Sequence, residues 1–384
     1  MDFAETVEDQ ALRKTVAEIA GRFGGAYYAA RAQAREPCAE LWQALGEAGF
    51  IGVNLPEEYG GGGGGLAQLA IVCEETAAQG CPLTLLLVSS GVSAEVLARY
   101  GRPEQKQRWL PGIAAGTSKM VFAITEPDAG SNTHKLSTTG TRDGDGWVLR
   151  GTKYYISGVN EAEAILVVAR TGVDDSTGHG RLSLFVVPAD APGLVARPLP
   201  VDVMLPERQF TLHFDDVRLP AGAIVGAEGD GLRQVFHGLN PERITGAASG
   251  VGVARYALAR AAEYARTRTV WDEPIGSHQG VSHPLAKAAI ETELAALMTR
   301  KAAWQHDHGM SAGEAANMAK YAAAEAAIAA VDQAIQTHGG NGVSTEFGLI
   351  PLWGLARLLR IAPVNREMVL NYVAQHTLGL PRSY

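Results

Sequence analysis

Ala123-Ile124-Thr125-Glu126-Pro127-Asp128-Ala129-Gly130-Ser131-Asn132 is the stretch on which the reading of this chain turns. Its apolar start reads as a strand, and the proline, glycine and hydroxyl residues that follow read as the loop that ends it. Backbone N–H groups and hydroxyls in such a loop can hydrogen-bond a planar polar ring; an ordinary turn is the plainer alternative. The strand has company. Between residues 120 and 226, short β-rich runs recur at Val121–Thr125, Trp147–Gly151, Ala164–Arg170, Leu182–Val187 and Phe210–Phe214. Turn signals such as Asp143-Gly144-Asp145-Gly146 and Asp190-Ala191-Pro192-Gly193 separate them. Short strands at this spacing predict an antiparallel sheet, a small barrel or sandwich.

On either side the texture is helical. In residues 1–119, Phe3, Ala11, Leu12, Val16 and Ile19 recur near a helical period, as do Leu41, Leu45 and Phe50. Pro56 and the run Gly60 to Gly65 interrupt the pattern. It resumes with Leu66, Leu69, Ile71 and Val72, and Pro82 opens a further stretch. In residues 227–384, three long alanine-rich segments, 241–268, 284–307 and 312–338, predict a helical bundle. The chain therefore reads as α+β in three parts: helices (1–119), sheet (120–226), helices (227–384).

Composition narrows the function. With 384 residues and 46% hydrophobic content the chain can bury a large core, which excludes a wholly disordered protein. A net charge of -8 without a long Lys/Arg run argues against nonspecific nucleic-acid binding. Cys38, Cys73 and Cys81 form no CxxC pair and are expected as reduced thiols. No run reaches the roughly 18 apolar residues of a membrane span. The acidic N-terminal stretch lacks the features of a signal or transit peptide, so a cytoplasmic protein is expected. There is no GxSxG elbow, and no βαβ unit surrounds the glycine run. His306 and His308 stand without further ligands, so no metal site is expected.

Three more segments matter. Lys153-Tyr154-Tyr155-Ile156-Ser157-Gly158 reads as a strand with Tyr155 and Ser157 on one face. Arg268-Thr-Val-Trp271 leads on to Gln279, and Gln336-Thr-His-Gly339-Gly340-Asn341-Gly342 follows a long helix. With the 123–132 stretch, with LPEEYGG from Leu55 and with Phe214-Asp-Asp-Val-Arg-Leu-Pro220, these segments resemble the acyl-CoA dehydrogenase family over nearly the whole chain. The resemblance implies an N-terminal helical domain, a middle β domain and a C-terminal four-helix-bundle domain. It also implies FAD held noncovalently between the sheet and the bundle. By motif, Phe122, Ile124, Thr125 and Ser131 line the flavin and thioester region, with Tyr155 and Ser157 at the flavin. Arg268, Trp271 and Gln279 fall where one subunit grips its neighbour's FAD, and Gln336, Gly339 and Gly340 where the ADP half is met. A guanidinium suits a pyrophosphate, and glycine lets backbone approach it. A shared site implies a homo-oligomer, a dimer of dimers in the family's usual form.

The implied reaction is α,β-dehydrogenation of an acyl-CoA to the trans-2-enoyl-CoA. A carboxylate takes the α-proton, hydride goes to the flavin, and electrons pass to an electron-transferring flavoprotein. Most relatives carry the base in a C-terminal loop, where this chain has Pro363, which offers neither carboxylate nor N–H. A neighbouring N–H such as that of Val364 would then have to hold the thioester oxygen. The resemblance supplies a replacement base, Glu242, in Leu239-Asn240-Pro241-Glu242-Arg243. A branch including isovaleryl-CoA and long-chain dehydrogenases has its glutamate in a similar context. Read from the residues alone, Asn240 and Pro241 are good N-cap and N1 residues. Glu242 would then be a first-turn carboxylate favoured by the helix dipole. Asn240 and Arg243 match positions near the substrate, Ser131 also faces it, and Glu367 is the rival base. Glu126 reads as structural. Asn132 for Asp and Trp271 for Phe are smaller departures, and the glycine run reads as a flexible surface insertion. A flavin oxidase or monooxygenase on the same fold, and an FAD-binding subunit without catalysis, are the alternatives. Acyl length, branching and rings are not legible.

Overall fold

The computed structural model describes residues 5–176 and 178–382; Phe3 lies outside them. The first part is built from α1 (Val7–Gly21), α2 (Gly24–Ala34), α3 (Ala39–Glu47), α4 (Leu66–Ala78), α5 (Glu95–Tyr100) and α6 (Pro103–Ala114). A π-helical segment, Leu86–Ala94, runs directly into α5. Thr6 caps α1 by accepting from the Asp9 N–H at 3.0 Å. Arg13 ties α1 to Glu5 (2.6 Å), Glu74 (2.9 Å) and Glu75, and Arg255 reaches the same Glu74 from the third part.

The sheet comprises β1 (Met120–Ala123), β2 (Thr139–Asp143), β3 (Gly146–Ser157), β4 (Ala164–Val173), β5 (Gly180–Pro188), β6 (Leu194–Pro198), β7 (Gln209–Leu219) and β8 (Ile224–Val225). Four of the five strand runs read from sequence fall within it and the first runs two residues past β1, but the sheet is mixed rather than antiparallel. The order is β6-β7-β3-β2-β4-β5-β8, and both β1 and β2 pair with β4 in parallel. Burial explains β4. Ile165, Val167 and Ala169 join a core shared with the helices, while Ala164, Leu166 and Val168 join a second cluster on the other face. A strand buried on both faces reads as a continuous apolar run and tolerates parallel partners.

The third part holds α7 (Gly231–Thr267), the hairpin β9 (Thr269–Val270) and β10 (Glu273–Pro274), α8 (Gln279–Asp307), α9 (Gly313–His338), α10 (Leu349–Leu358) and α11 (Arg366–Tyr372). The long helices α7, α8 and α9 pack together, α4 lies against α7 and α8, and α10 against α9. One apolar cluster runs from Val16 through Leu69 and Ile165 to Val251 and Ala319, joining all three parts. No helix among the described residues is long and apolar enough to cross a membrane.

Two expectations are corrected. The helix expected to start at Pro241 begins ten residues earlier, and Pro241 lies inside it. Asn240 is therefore not an N-cap, and Glu242, the twelfth residue, is no first-turn carboxylate. The proline removes only one intrahelical bond. Burial of Val235 and Leu239 against the sheet-side cluster holds the preceding turns in register.

The second correction concerns the glycine run, which is not a loose insertion. The N–H groups of Gly61, Gly62, Gly63 and Gly64 donate to the carbonyls of Pro56, Gly52, Leu55 and Val53 at 2.9–3.1 Å. Asp307 accepts the N–H groups of Leu66 and Ala67 at 2.8 and 2.9 Å, pinning the loop to the end of α8. Glycine is needed because the backbone folds onto itself: a Cβ on Gly61 would lie 2.2 Å from the Leu55 carbonyl oxygen. Gly61→Ala is therefore expected to destabilise the protein by about 1–3 kcal/mol, as overpacking does. Denaturant unfolding checks this, and an unchanged midpoint would return the loop to a loose insertion.

Candidate active site

The loop after β1 is fixed from beneath by a buried ion pair. Lys153 on β3 donates to Glu126 at 2.8 Å and to the Ile124 carbonyl at 2.9 Å; the two charged side chains are 0% and 2% exposed. Glu126 also accepts from the Ser137 N–H (2.6 Å) and hydroxyl (2.7 Å) and from the Thr138 N–H (3.0 Å). Burial alone would raise its pKa, but the Lys153 ammonium and these donors hold it at about 2. Glu126 is thus the anchor of the loop. Tyr154 donates its N–H to the Thr125 carbonyl at 2.8 Å, joining β3 to the same loop. Asn132 keeps an acceptor where the family's Asp would stand, taking the His134 N–H at 3.2 Å.

On this base sit Phe122 and Ile124, both partly buried, and Thr125, whose hydroxyl bonds no protein group among the described residues. The strand expected to alternate regularly through Tyr155 does not. Lys153 pairs with Leu212 and Ile156 with Phe210, so Tyr154 and Tyr155 together face one residue of β7 in a bulge. Tyr155 takes φ +57° and stands 55% exposed, edge-on to Tyr154. Left-handed backbone at a bulky residue is costly and concentrates where side chains are aimed for a purpose. Ser157 exchanges hydrogen bonds with Gln209 at 2.9 and 3.1 Å.

Glu242 lies on α7 with no hydrogen-bond partner for its carboxylate among the described residues. Loss of hydration raises its pKa, Arg243 and Lys320 pull it back, and the result is about 7. Arg243 donates to the Asn240 side chain at 2.9 Å and leaves its Nε buried without a partner. The turn carrying Pro363 is tied to α9 and to the loop after β1. Lys320 donates to the Val364 carbonyl. Asn365 caps α11 through the Met368 N–H (2.8 Å) and donates to the Ser131 hydroxyl at 2.8 Å. A continuous chain, Ser131–Asn365–Val364–Lys320, thereby links the loop after β1 to α9 near Glu242. Glu367 is exposed in the first turn of α11.

The remaining residues form a second group. Arg268 follows α7, and about 39 Å of helix separates it from Glu242 at 1.5 Å per residue. Trp271 and Asp272 make the two-residue turn of β9–β10 with φ +50° and +66°, and Trp271 is 84% exposed. Gln279 opens α8 on the surface. Gln336, Gly339 and Gly340 reach this end because His338 stacks on Tyr264 at 4.3 Å and Asn341 donates to the Tyr264 hydroxyl at 3.1 Å. Gly339 has φ +60° and ψ -132°, a conformation for glycine, and a Cβ at either glycine would meet nothing within 4 Å. Arg268, Gln279 and Gln336 make no side-chain hydrogen bond among the described residues.

Sequence reasoning missed Lys320 and Asn365, and read Lys153 only as part of a motif. The signal for Lys320 was a charge on the apolar stripe Ala316, Ala319, Ala323 of an alanine-rich helix.

The chain is an oxidoreductase acting on a CH–CH bond. The chain belongs to the acyl-CoA dehydrogenase family: residues 6–117, 121–217 and 229–378 match its N-terminal, middle and C-terminal domains. It is 56% identical over 384 residues to acyl-CoA dehydrogenase FadE12 of Mycobacterium tuberculosis, covering 100% of this chain and 99% of that one. Among solved structures it resembles butyryl-CoA dehydrogenase from Megasphaera elsdenii, with TM-score 0.93, 27% identity and coverage of 98% and 100%. It also resembles a glutaryl-CoA dehydrogenase from Mycobacterium smegmatis in complex with FADH2, with TM-score 0.92, 27% identity and coverage of 99% and 96%.

The ion pair under the loop yields a prediction. Lys153→Met leaves Glu126 buried and uncompensated and is expected to cost about 3–5 kcal/mol, whereas Lys153→Met with Glu126→Gln recovers part of that loss. Denaturant unfolding of both variants checks it; equal loss in the two would contradict the pairing.

Proposed function

We propose that this chain dehydrogenates an acyl-CoA thioester between Cα and Cβ with FAD, with Glu242 as the base, and passes the electrons to an electron-transferring flavoprotein. Glu242 carries the reading: it is desolvated, unpartnered, near pKa 7, and joined through the Pro363 turn to the loop at Ser131. The donor set suits FAD. Thr125 offers a free hydroxyl, Tyr155 an exposed ring, and Arg268 with Gln279 and Gln336 offers unengaged polar groups for a pyrophosphate and its flanks. When bound, FAD supplies the hydride acceptor.

The residues do the rest. Glu242 takes the α-proton, and its pKa near 7 lets it serve as a base at neutral pH. The developing negative charge on the thioester oxygen needs a donor. Pro363 has none, and the Val364 N–H is the donor we assign; it serves no protein acceptor among the described residues. Arg243, with its unpartnered Nε, and Asn240 face the substrate's CoA side, and Ser131 faces the thioester. Because the Arg268 group lies at the far end of α7, we assign it to the FAD of a second copy, in a dimer of dimers. The three domains are taken as 1–119, 120–226 and 227–384, and the acidic composition fits work in the cytoplasm.

Anaerobic mixing with short, medium, long, branched and cyclic acyl-CoAs tests this reading. Bleaching of the bound flavin by one class is expected. Silence across the panel with FAD bound would favour a noncatalytic subunit, and rapid reoxidation in air an oxidase. Glu242→Gln is expected to retain FAD and fold while losing at least about 10²–10⁴-fold in reduction rate. A base works deprotonated, so kcat/KM of the parent should rise with pH through about 7 and then level. A profile flat from pH 6 to 8 would oppose Glu242.

A further inference from the structure

Lys320 is 3% exposed, among alanines on α9, and no carboxylate forms an ion pair with it among the described residues. The side-chain hydrogen bond it makes among the described residues goes to a neutral carbonyl, that of Val364. A neutral donor could strap that turn equally well, at a smaller desolvation cost. The location of the charge is therefore informative. The helices α7 and α9 approach closely on both sides of it: a Cβ on Gly313 would lie 3.9 Å from the Asn240 side chain, and one on Gly250 would lie 3.3 Å from the Ala323 carbonyl. In that register Lys320 lies level with Ala247 on α7, five residues beyond Glu242. The ionisable groups around it are Glu242 and Arg243 on α7, Glu325 on its own helix and Glu367 on α11. Arg360 and Arg366 from the turn already pair with Glu325 at 2.6 and 3.4 Å. Glu242 and Glu367 are left without an ion-pair partner among the described residues, and of these Glu367 is exposed to solvent on α11.

We propose that Lys320 is a positioning residue for the base: it holds the Pro363 turn through Val364 and presents a positive charge that favours the ionised form of Glu242. The proposal rests on Glu242 being the base. Burial pushes the Glu242 carboxyl up, and Arg243 and then Lys320 oppose this. Burial lowers Lys320 only to about 8, so its charge is present where Glu242 ionises, and removing it raises the pH at which Glu242 becomes active.

The test uses the FAD-loaded protein and its Lys320→Gln, Lys320→Met and Lys320→Arg variants. The midpoint of the kcat/KM profile for flavin reduction is expected to move up by about one unit in the Gln and Met variants, a roughly tenfold loss at neutral pH. The Arg variant should keep the parent's midpoint. Rates lowered equally at every pH, with the midpoint unmoved, would overturn the proposal and leave Lys320 as a strap.

A thermal-melting cycle separates this from failure of the functional reading. Lys320→Gln should lower Tm more at pH 7.5, where Glu242 is mostly ionised, than at pH 5.5, where it is protonated. That difference should vanish when Glu242→Gln is also present. A difference that persists in the Glu242→Gln background would overturn the proposal, whatever the flavin does.

Discussion

The buried pair between Lys153 and Glu126 is the constraint on which the rest of the site depends. A loop of proline, glycine and hydroxyl residues has many conformations open to it, and ordering it costs entropy. Here a single carboxylate gathers one ammonium, one hydroxyl and two backbone N–H groups beneath the loop. The same ammonium takes the carbonyl of Ile124, so β3 and the β1 loop move as one body. The surface hydroxyls of Thr125 and Ser131 inherit that rigidity without using their own hydrogen-bonding capacity on it. A site that must present groups to a ligand benefits from anchors that are not themselves ligand contacts.

Helix α7 provides the second constraint. By running unbroken from Gly231 to Thr267 it carries Glu242 at one end of the bundle and delivers Arg268 to the other. The distance between them follows from the helix rise alone and is not adjustable by loop motion. This separation is what supports the proposed assignment of the Arg268 group to the FAD of a second copy. The β9–β10 hairpin agrees with this. It spends left-handed backbone on Trp271 and Asp272, where asparagine and glycine would be the easy choices, to hold an indole out from the protomer.

Much of this was legible in the sequence because strong local signals coincide with tertiary demands. The strand runs from Val121 to Phe214 are apolar enough to be buried, and they are strands. The motif residues 123–132 form the strand end and loop that their apolar start and turn residues predicted. Four features were hidden, each for a physical reason. Pro241 carries a start signal that is overruled by burial of Val235 and Leu239, which no local rule weighs. The bulge at Tyr154–Tyr155 depends on register with β7, a partner some 55 residues away in the chain. The compactness of Gly60 to Gly65 comes from acceptors at residues 52–56 and from Asp307, and composition cannot distinguish a tight glycine turn from a loose one. The parallel pairing of β1 and β2 with β4 was invisible in the same way.

The account stands or falls on Glu242 removing a carbon-bound proton, and that step can be isolated from electron transfer. An acyl-CoA with no hydrogen on its β-carbon cannot be dehydrogenated, yet its α-protons remain exchangeable. Incubated with the FAD-loaded protein in deuterated buffer and followed by NMR, such a compound should lose its α-proton signal, faster as pH rises through about 7. In the Glu242→Gln variant the exchange should fall to the buffer rate. Exchange by that variant at the parent's rate would contradict the central claim and place the base elsewhere.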